Sequence, residues 1–565
     1  MLVRALGALF LLAAVSGDSL DVCLQDLGCL KGTEMPGFQT GSFESFLGIP
    51  FAQPPVGELR FKNPKPATAW NGVRDAGTAM DSCLQRNYFI DGWPILGSED
   101  CLYLNVYRPK EETSTLLPVM VYVHSGGFFS GSAHPIGSGP EYLMDAGGVI
   151  VVTISYRVGP FGFLSTGDEH MPGNFGLKDQ RLALQWVQRY IRSFGGDPDM
   201  VTLFGHSAGG VSTHLHMLSP GSKGLFHRAM SLTGMWFSPT ITILKDPLSQ
   251  TRYLAKLAGI AEAESLSSKD LAQKLSDVDA TKLLKSIDSL KVFDTLPQLH
   301  SRPVIEPVGC PDAFLVEDPL TTHLSGNMHQ VPWVISYNSR TGEGTLTLLH
   351  AFVDAKRQEE FNENFLEHMA LALSLPEGTD PEVVQDIFDA YQFHGKGLNN
   401  DTLLDLAEIS GDFNFFYPMY QTIVSYAGYA DLEKNPLSVY IFDYEGSRPA
   451  TVFVSGNDLN YGVGAGHMED GLHTIRIKGF VEDYPKDSLD AKVTQRMSEL
   501  VTQFGKTGIF REDATCQASD LKDQKMCNYL FFYGHTSTGT FQESVQNSLD
   551  LTRFALWKKL YMSKQ

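Results

Sequence analysis

Ser207, Glu343 and His467 are the residues whose types and surroundings could together perform acyl transfer. Ser207 sits in Gly205-His206-Ser207-Ala208-Gly209, after an apolar run ending at Phe204 and before an apolar stretch, 211–218, that reads as a helix. A serine in such a strand–turn–helix is forced into a tight, exposed turn, and small neighbours are needed because side chains there would meet backbone. Its hydroxyl is a poor nucleophile until a base removes the proton, and that base must be held by a third group. His467, among the small residues Gly464, Ala465 and Gly466, is the candidate base. A lone loop histidine is ordinarily just solvated; the small neighbours set this one apart. Glu343, in 339–344 after the apolar run ending near Tyr337, is the candidate orienting acid. The tetrahedral intermediate also needs hydrogen-bond donors. Gly126 and Gly127, after the apolar run 117–124, and the N–H of Ala208 could supply them.

The elements that would carry these residues are legible. The runs 117–124, 148–156, 201–204, 331–337 and 437–442 read as buried strands. Between them, 177–194 places Leu182, Leu184, Val187 and Ile191 roughly on one helical face and is stopped at 195–198 by Gly-Gly-Asp-Pro. Strands alternating with helices predict an α/β chain with a mainly parallel central sheet flanked by helices. The stretches 245–289 and 351–406 read as amphipathic helical insertions on the same domain, with no flexible linker between them. The chain order serine, acid, histidine is that of an α/β-hydrolase fold.

Composition narrows the classes. Of 565 residues, 43% are hydrophobic, enough for a large core, and no repeat or low-complexity tract is present. A net charge of −21 argues against nucleic acid as a partner. Residues 1–17 read as a secretory signal: Arg4, the apolar run Leu6 to Val15, then Ala14, Ser16 and Gly17. No later stretch reads as a membrane span or lipid-anchor tail, so a secreted, extracellular protein without a membrane anchor is expected. Seven cysteines fit an oxidising route. Cys23 with Cys29, Cys83 with Cys101 and Cys516 with Cys527 are local options, which would leave Cys310 as a buried thiol. Asn400, in Asn-Asp-Thr, is a candidate glycosylation site.

Beyond these features, 46–57, 98–105, 174–180 and 194–198 match motifs of the carboxylesterase/cholinesterase family over nearly the whole mature chain. In texture the sequence is most similar to insect secreted esterases, including those of the juvenile-hormone-esterase type. The resemblance implies a single hydrolase domain over 18–565 and hydrolysis of carboxylic esters through an acyl-enzyme on Ser207. It implies His467 as base, Glu343 as its orienting acid and Gly126, Gly127 and Ala208 as oxyanion hole. It further implies a Cys83–Cys101 disulfide at the gorge rim and ion pairs Arg60–Glu99 and Arg157–Asp179. No metal or cofactor is implied, the partner is a small-molecule ester, and the chain is expected as monomer or homodimer. Two departures bear on specificity and loop geometry. His206 stands where cholinesterases are acidic, which disfavours choline esters and favours apolar, uncharged ones of hormone, odorant or dietary type. Ser125 replaces a glycine of the donor loop. Phe128, Phe129 and Trp236 could line an apolar pocket or the core, while Trp93 is expected to pack its loop. The family also holds adhesion proteins, which generally lack triad residues and are anchored. A lipase acting at an interface is the other alternative.

Overall fold

The computed structural model describes residues 20–562, apart from 91, 112, 240–241, 298, 349–350, 352–354, 376–377, 452–462, 480 and 518–525. The expected signal segment 1–17 lies outside the described residues.

One eleven-stranded sheet organises the described chain. Its strands, in chain order, are β1 (Thr33–Pro36), β2 (Ser42–Pro50), β3 (Tyr103–Arg108), β4 (Leu117–Val123), β5 (Ile150–Ile154), β6 (Gly196–His206), β7 (Arg228–Leu232), β8 (Trp333–Asn338), β9 (Leu437–Glu445), β10 (Tyr529–His535) and β11 (Thr540–Gln546). In space they run β1-β2-β3-β5-β4-β6-β7-β8-β9-β10-β11. From β5 to β10 every neighbouring pair is parallel. The pairs β1–β2, β2–β3, β3–β5 and β10–β11 are antiparallel. The large mainly parallel sheet with flanking helices is the α/β-hydrolase fold expected from the sequence.

Alternation explains why the central strands are apolar throughout. In β4, Val119, Val121 and Val123 pack into one core while Met120 and Tyr122 pack into the other. In β9, Leu437, Val439 and Ile441 face the first, and Tyr440, Phe442 and Tyr444 the second. Both faces of the central strands are covered, so they can be apolar at successive positions. Helix α1 (Phe175–Tyr190) covers the first face with Leu177, Leu184, Trp186 and Val187. It starts two residues before the expected helix and gives way to a 3₁₀ turn, Ile191–Phe194, before Gly195 at φ 83° ends it. The opposite face is covered by Leu489–Thr507 through Val493, Met497, Val501 and Phe504.

The helical insertions resolve into short helices: Pro247–Leu257, Ser268–Ser276 and Ala280–Ser286 in the first, and Ala355–Glu363, Phe365–Ala372, Pro381–Ala390 and the start of Leu403–Gly411 in the second. Three disulfides are present, Cys23–Cys29, Cys83–Cys101 and Cys516–Cys527. Cys310 is the remaining thiol, half-buried rather than buried as expected, because it sits in a turn beside Pro307 and Asp312 instead of inside a core. Asn400 is exposed. No helix among the described residues is long and apolar enough to cross a membrane.

Candidate active site

Strand order reverses at β4: β5 lies on one side of it and β6 on the other. Such a switch point opens a crevice beyond the carboxyl ends of the strands. Each residue expected in the triad or the oxyanion hole lies in a segment that follows one of these parallel strands. Gly126 and Gly127 follow β4, Ser207 and Ala208 follow β6, Glu343 follows β8 and His467 follows β9. Register makes the first two loops neighbours, since Gly205 pairs with Val123.

Ser207 has φ 53° and ψ −121°, a conformation that costs a non-glycine residue of order 1–3 kcal/mol and persists only where surroundings enforce it. The enforcement is visible. Ser207 N–H donates to Leu232 O at 2.8 Å, and Ser207 O accepts from Val211 N, starting helix α2 (Ala208–Leu218). The turn also brings Gly209 against β4. A Cβ there would lie 2.1 Å from Val123 O, and one on Gly205 would lie 2.5 Å from the same oxygen. Both elbow glycines are therefore required by close backbone approach.

Glu343 is held in the short helix α3 (Arg340–Thr345), whose N-cap Ser339 accepts from Gly342 N at 3.2 Å. Its Oε1 accepts from Asn338 N at 3.0 Å, and its Oε2 lies 2.6 Å from His467 Nδ1. A carboxylate only accepts, so Nδ1 carries a proton, and in the neutral imidazole this tautomer leaves the Nε2 lone pair available. Nε2 is buried and has no hydrogen-bond partner among the described residues. Burial pushes the Glu343 carboxyl up, and the imidazole beside it pulls it back down. The His467 loop is clamped in turn: the Ser339 hydroxyl donates to Ala465 O at 3.0 Å. Asp470, three residues on, accepts from Ser336 Oγ at 2.9 Å and from Tyr440 OH at 2.8 Å. Phe415 packs on the imidazole with ring centroids 5.1 Å apart.

In the glycine loop, positive φ falls on Gly126 (117°), Gly127 (59°) and Phe128 (60°), but not on Ser125. The serine in place of a glycine therefore costs this backbone nothing. The loop is pinned from outside. Gln85 Oε1 accepts from Gly131 N at 2.9 Å, and His124 Nδ1–H donates to Ser125 O at 2.8 Å. Burial pushes His124 down to about 4, so the ring is neutral and stacks on Tyr156. Ala208 N–H is at the first turn of α2, where no intrahelical acceptor exists.

Two cavities meet at Ser207 and His467, which line both together with Phe89 and Leu346. The smaller encloses about 60 Å³ and takes in Gly127, Ala208, Tyr88, Phe129, Leu299 and Phe415. The larger, about 190 Å³, takes in Gly126, His124, Ser125, Ile90, Leu96 and Ile477. A carbonyl held at Ser207 could thus direct its two substituents into separate, mostly apolar lobes.

Several expectations are settled by side-chain direction. Phe129 lines the smaller cavity; Phe128 points into the core against Phe163, and Trp236 is a core residue. Trp93 packs its loop, edge-on to Tyr88 with Arg86 over its ring. The ion pairs Arg60–Glu99 (2.5 Å) and Arg157–Asp179 (2.7 Å) are formed. Contrary to the expectation, His206 has no bearing on the charge of the ester: its ring lies against Tyr122, 3.2 Å from Thr474 Oγ1 and 3.9 Å from Asp470, and lines neither cavity. As a β6 residue it shares the face of Phe204, away from the crevice. Sequence reasoning missed Asp470, legible only as an acid one helical turn beyond His467. It also missed Lys291, which lines the smaller cavity and which no motif marks. Burial pushes the Lys291 ammonium down to about 7, with Asp294 and Asp288 pulling the other way.

Comparison with known proteins identifies the family. Residues 19–545 match the carboxylesterase family. A juvenile hormone esterase of Tribolium castaneum is 36% identical over 92% of this chain and 90% of its own length. A carboxylic ester hydrolase of Bombus ignitus is 33% identical over 85% of this chain and 84% of its own. The crystal structure of juvenile hormone esterase from Manduca sexta, with OTFP covalently attached, superposes with a TM-score of 0.78 at 27% identity, covering 97% of this chain and 99% of that one. Similarity of this extent, in sequence and in fold, places the chain in the carboxylesterase family as a carboxylic ester hydrolase.

Proposed function

We propose that this esterase works through an acyl-enzyme on Ser207, with His467 as general base and Glu343 as its orienting acid. The observation that carries the reading is the 2.6 Å bond between Glu343 and His467 Nδ1, with the free Nε2 on the ring that shares both cavities with a strained Ser207. His467 takes the Ser207 proton as the hydroxyl attacks the ester carbonyl, then returns it to the leaving alcohol. The N–H groups of Gly126, Gly127 and Ala208 stabilise the oxyanion, each worth about 2.7–4 kcal/mol. Water activated by His467 then releases the acid.

The substrates are apolar, uncharged esters. Support comes from the lining of Tyr88, Phe89, Phe129, Leu299 and Phe415 and from similarity to two proteins named as juvenile hormone esterases. Residues 1–17 serve as a signal peptide, 18–565 form a single secreted domain glycosylated at Asn400, and the Cys83–Cys101 disulfide closes the loop carrying Tyr88 and Phe89. The enzyme acts as a monomer or homodimer. Ser207→Ala tests the mechanism. Hydrolysis of a soluble phenyl ester should disappear while the melting temperature stays; wild-type turnover in that variant would refute the nucleophile. Secretion is tested by N-terminal sequencing of protein recovered from culture medium.

A further inference from the structure

The smaller cavity has an aromatic wall. Tyr88 and Phe89 come from the loop closed by Cys83–Cys101, and Phe129 from the glycine loop. The Phe129 ring centroid is 5.3 Å from that of Tyr88 and 5.1 Å from that of Phe89. Clustered rings of this kind attract quaternary ammonium groups through their negative faces. Here a cation already occupies the position. Lys291 Nζ lies 4.5 Å from the Tyr88 centroid and 6.0 Å from that of Phe129. The head group is held there by two carbonyls of its own loop, donating to Thr295 O at 2.6 Å and Pro297 O at 2.9 Å. Tyr88 is fixed independently, its hydroxyl donating to Asp288 at 2.9 Å while Arg86 bridges the same carboxylate at 2.7 Å.

The lining chemistry makes this arrangement matter. Among the described residues no carboxylate lines either cavity, and Lys291 is the one lysine or arginine that does. A trialkylammonium entering the smaller lobe would find its rings occupied and a like charge beside it; Asp288 and Asp294 act on Lys291 but line neither cavity, so they offer the entering cation no contact.

We propose that Lys291 is a specificity-determining residue: it fills the aromatic box from within, so that the site accepts neutral esters and rejects those carrying a quaternary ammonium. This rests on Ser207 being the nucleophile of the cavity that both residues line. Two like charges about 5 Å apart at an effective dielectric of about 20 correspond to a discrimination of order a hundredfold.

The test compares butyrylcholine with its uncharged isostere, 3,3-dimethylbutyl butyrate, which has the same shape but carbon in place of the ammonium nitrogen. At pH 6.5 the wild-type kcat/KM should be on the order of a hundredfold higher for the isostere. In Lys291→Met the ratio should fall at least about tenfold, through a gain on the choline ester, with the isostere within about threefold of wild type. Lys291→Gln, which keeps a donor for the loop carbonyls but removes the charge, should fall likewise, and Lys291→Arg should keep the wild-type ratio. Equal hydrolysis of both esters by wild type would overturn the proposal. So would an unchanged ratio in the Met or Gln variant whose isostere turnover is intact. Ser207→Ala distinguishes the two levels: persistence of isostere hydrolysis there sinks the nucleophile assignment, whereas its loss with an unaltered Lys291→Gln ratio sinks only the charge filter.

Discussion

Replacing Glu343 with glutamine isolates what the buried carboxylate does for His467. The side chain keeps its shape, but only one of its terminal atoms can still accept. Two donors point at this group, Asn338 N–H at 3.0 Å and His467 Nδ1–H at 2.6 Å. If the amide oxygen stays with Asn338, the NH₂ faces His467. The imidazole must then move its proton to Nε2, which removes the lone pair that Ser207 needs. Where the same kind of substitution leaves geometry intact in serine proteases, it costs about 10⁴ in kcat, or roughly 5.5 kcal/mol at about 1.36 kcal/mol per decade. If the oxygen instead turns to His467, the tautomer survives and a charge-assisted bond becomes a neutral one, losing only about 1–1.5 kcal/mol. The backbone donor at Asn338 cannot turn away, so the first outcome dominates and a fall of about 10³–10⁴ in kcat is expected. KM should barely change, because Glu343 is fully buried and lines neither cavity. Burial pushes this carboxyl up, so the fold gains nothing from its charge near neutrality, and the variant should melt within a few degrees of wild type. Steady-state kinetics on p-nitrophenyl acetate, normalised by active-site titration, decide the matter. A kcat loss under about tenfold, or a rise in KM alone, would refute the triad geometry.

Two further substitutions test the scaffold. In Gly234→Ala the new Cβ would fall 2.0 Å from Ser207 O and 2.7 Å from its carbonyl carbon, so the Ser207 backbone must move. Kcat should drop by about 10² or more with a stability cost of about 1–3 kcal/mol, and wild-type kcat would show that Ser207 is less constrained than argued. Glu469 is buried and its carboxyl pushed up to about 8, first by burial, with Glu445 and Asp490 adding to it and the N–H of Ala450 opposing. A folded-state value above the unfolded one gives stability that is full below pH 4.5 and lost as pH rises through about 8. Melting curves from pH 5 to 9 should therefore show wild type losing ground to Glu469→Gln up to about pH 8 and levelling off beyond it; parallel curves throughout would contradict the assigned shift.

Local pattern was sufficient for part of this protein. The apolar runs before Gly205, Gly126, Glu343 and His467 are strands because only residues covered on both faces can be apolar at successive positions. The elbow serine, the glycine loop and the order of acid and base along the chain then follow from chemistry that needs small residues beside a nucleophile. Three cysteine pairs closed over short separations were open to the same reading, although sequence left their pairing undecided.

Contacts between residues far apart, and the face each side chain takes, were decided only by the tertiary structure. His206 adjoins Ser207 in sequence but faces away from the crevice, because neighbouring residues at a strand end project to opposite sides. Phe128 and Phe129 divide between core and cavity for a related reason, the backbone turning over at Phe128. Lys291 carries no signature, since its place depends on a loop about 200 residues from the Tyr88 ring it covers folding back over that ring. Spacing along a chain encodes which way local elements point; which distant loops share a cavity is decided by the packing of the whole sheet.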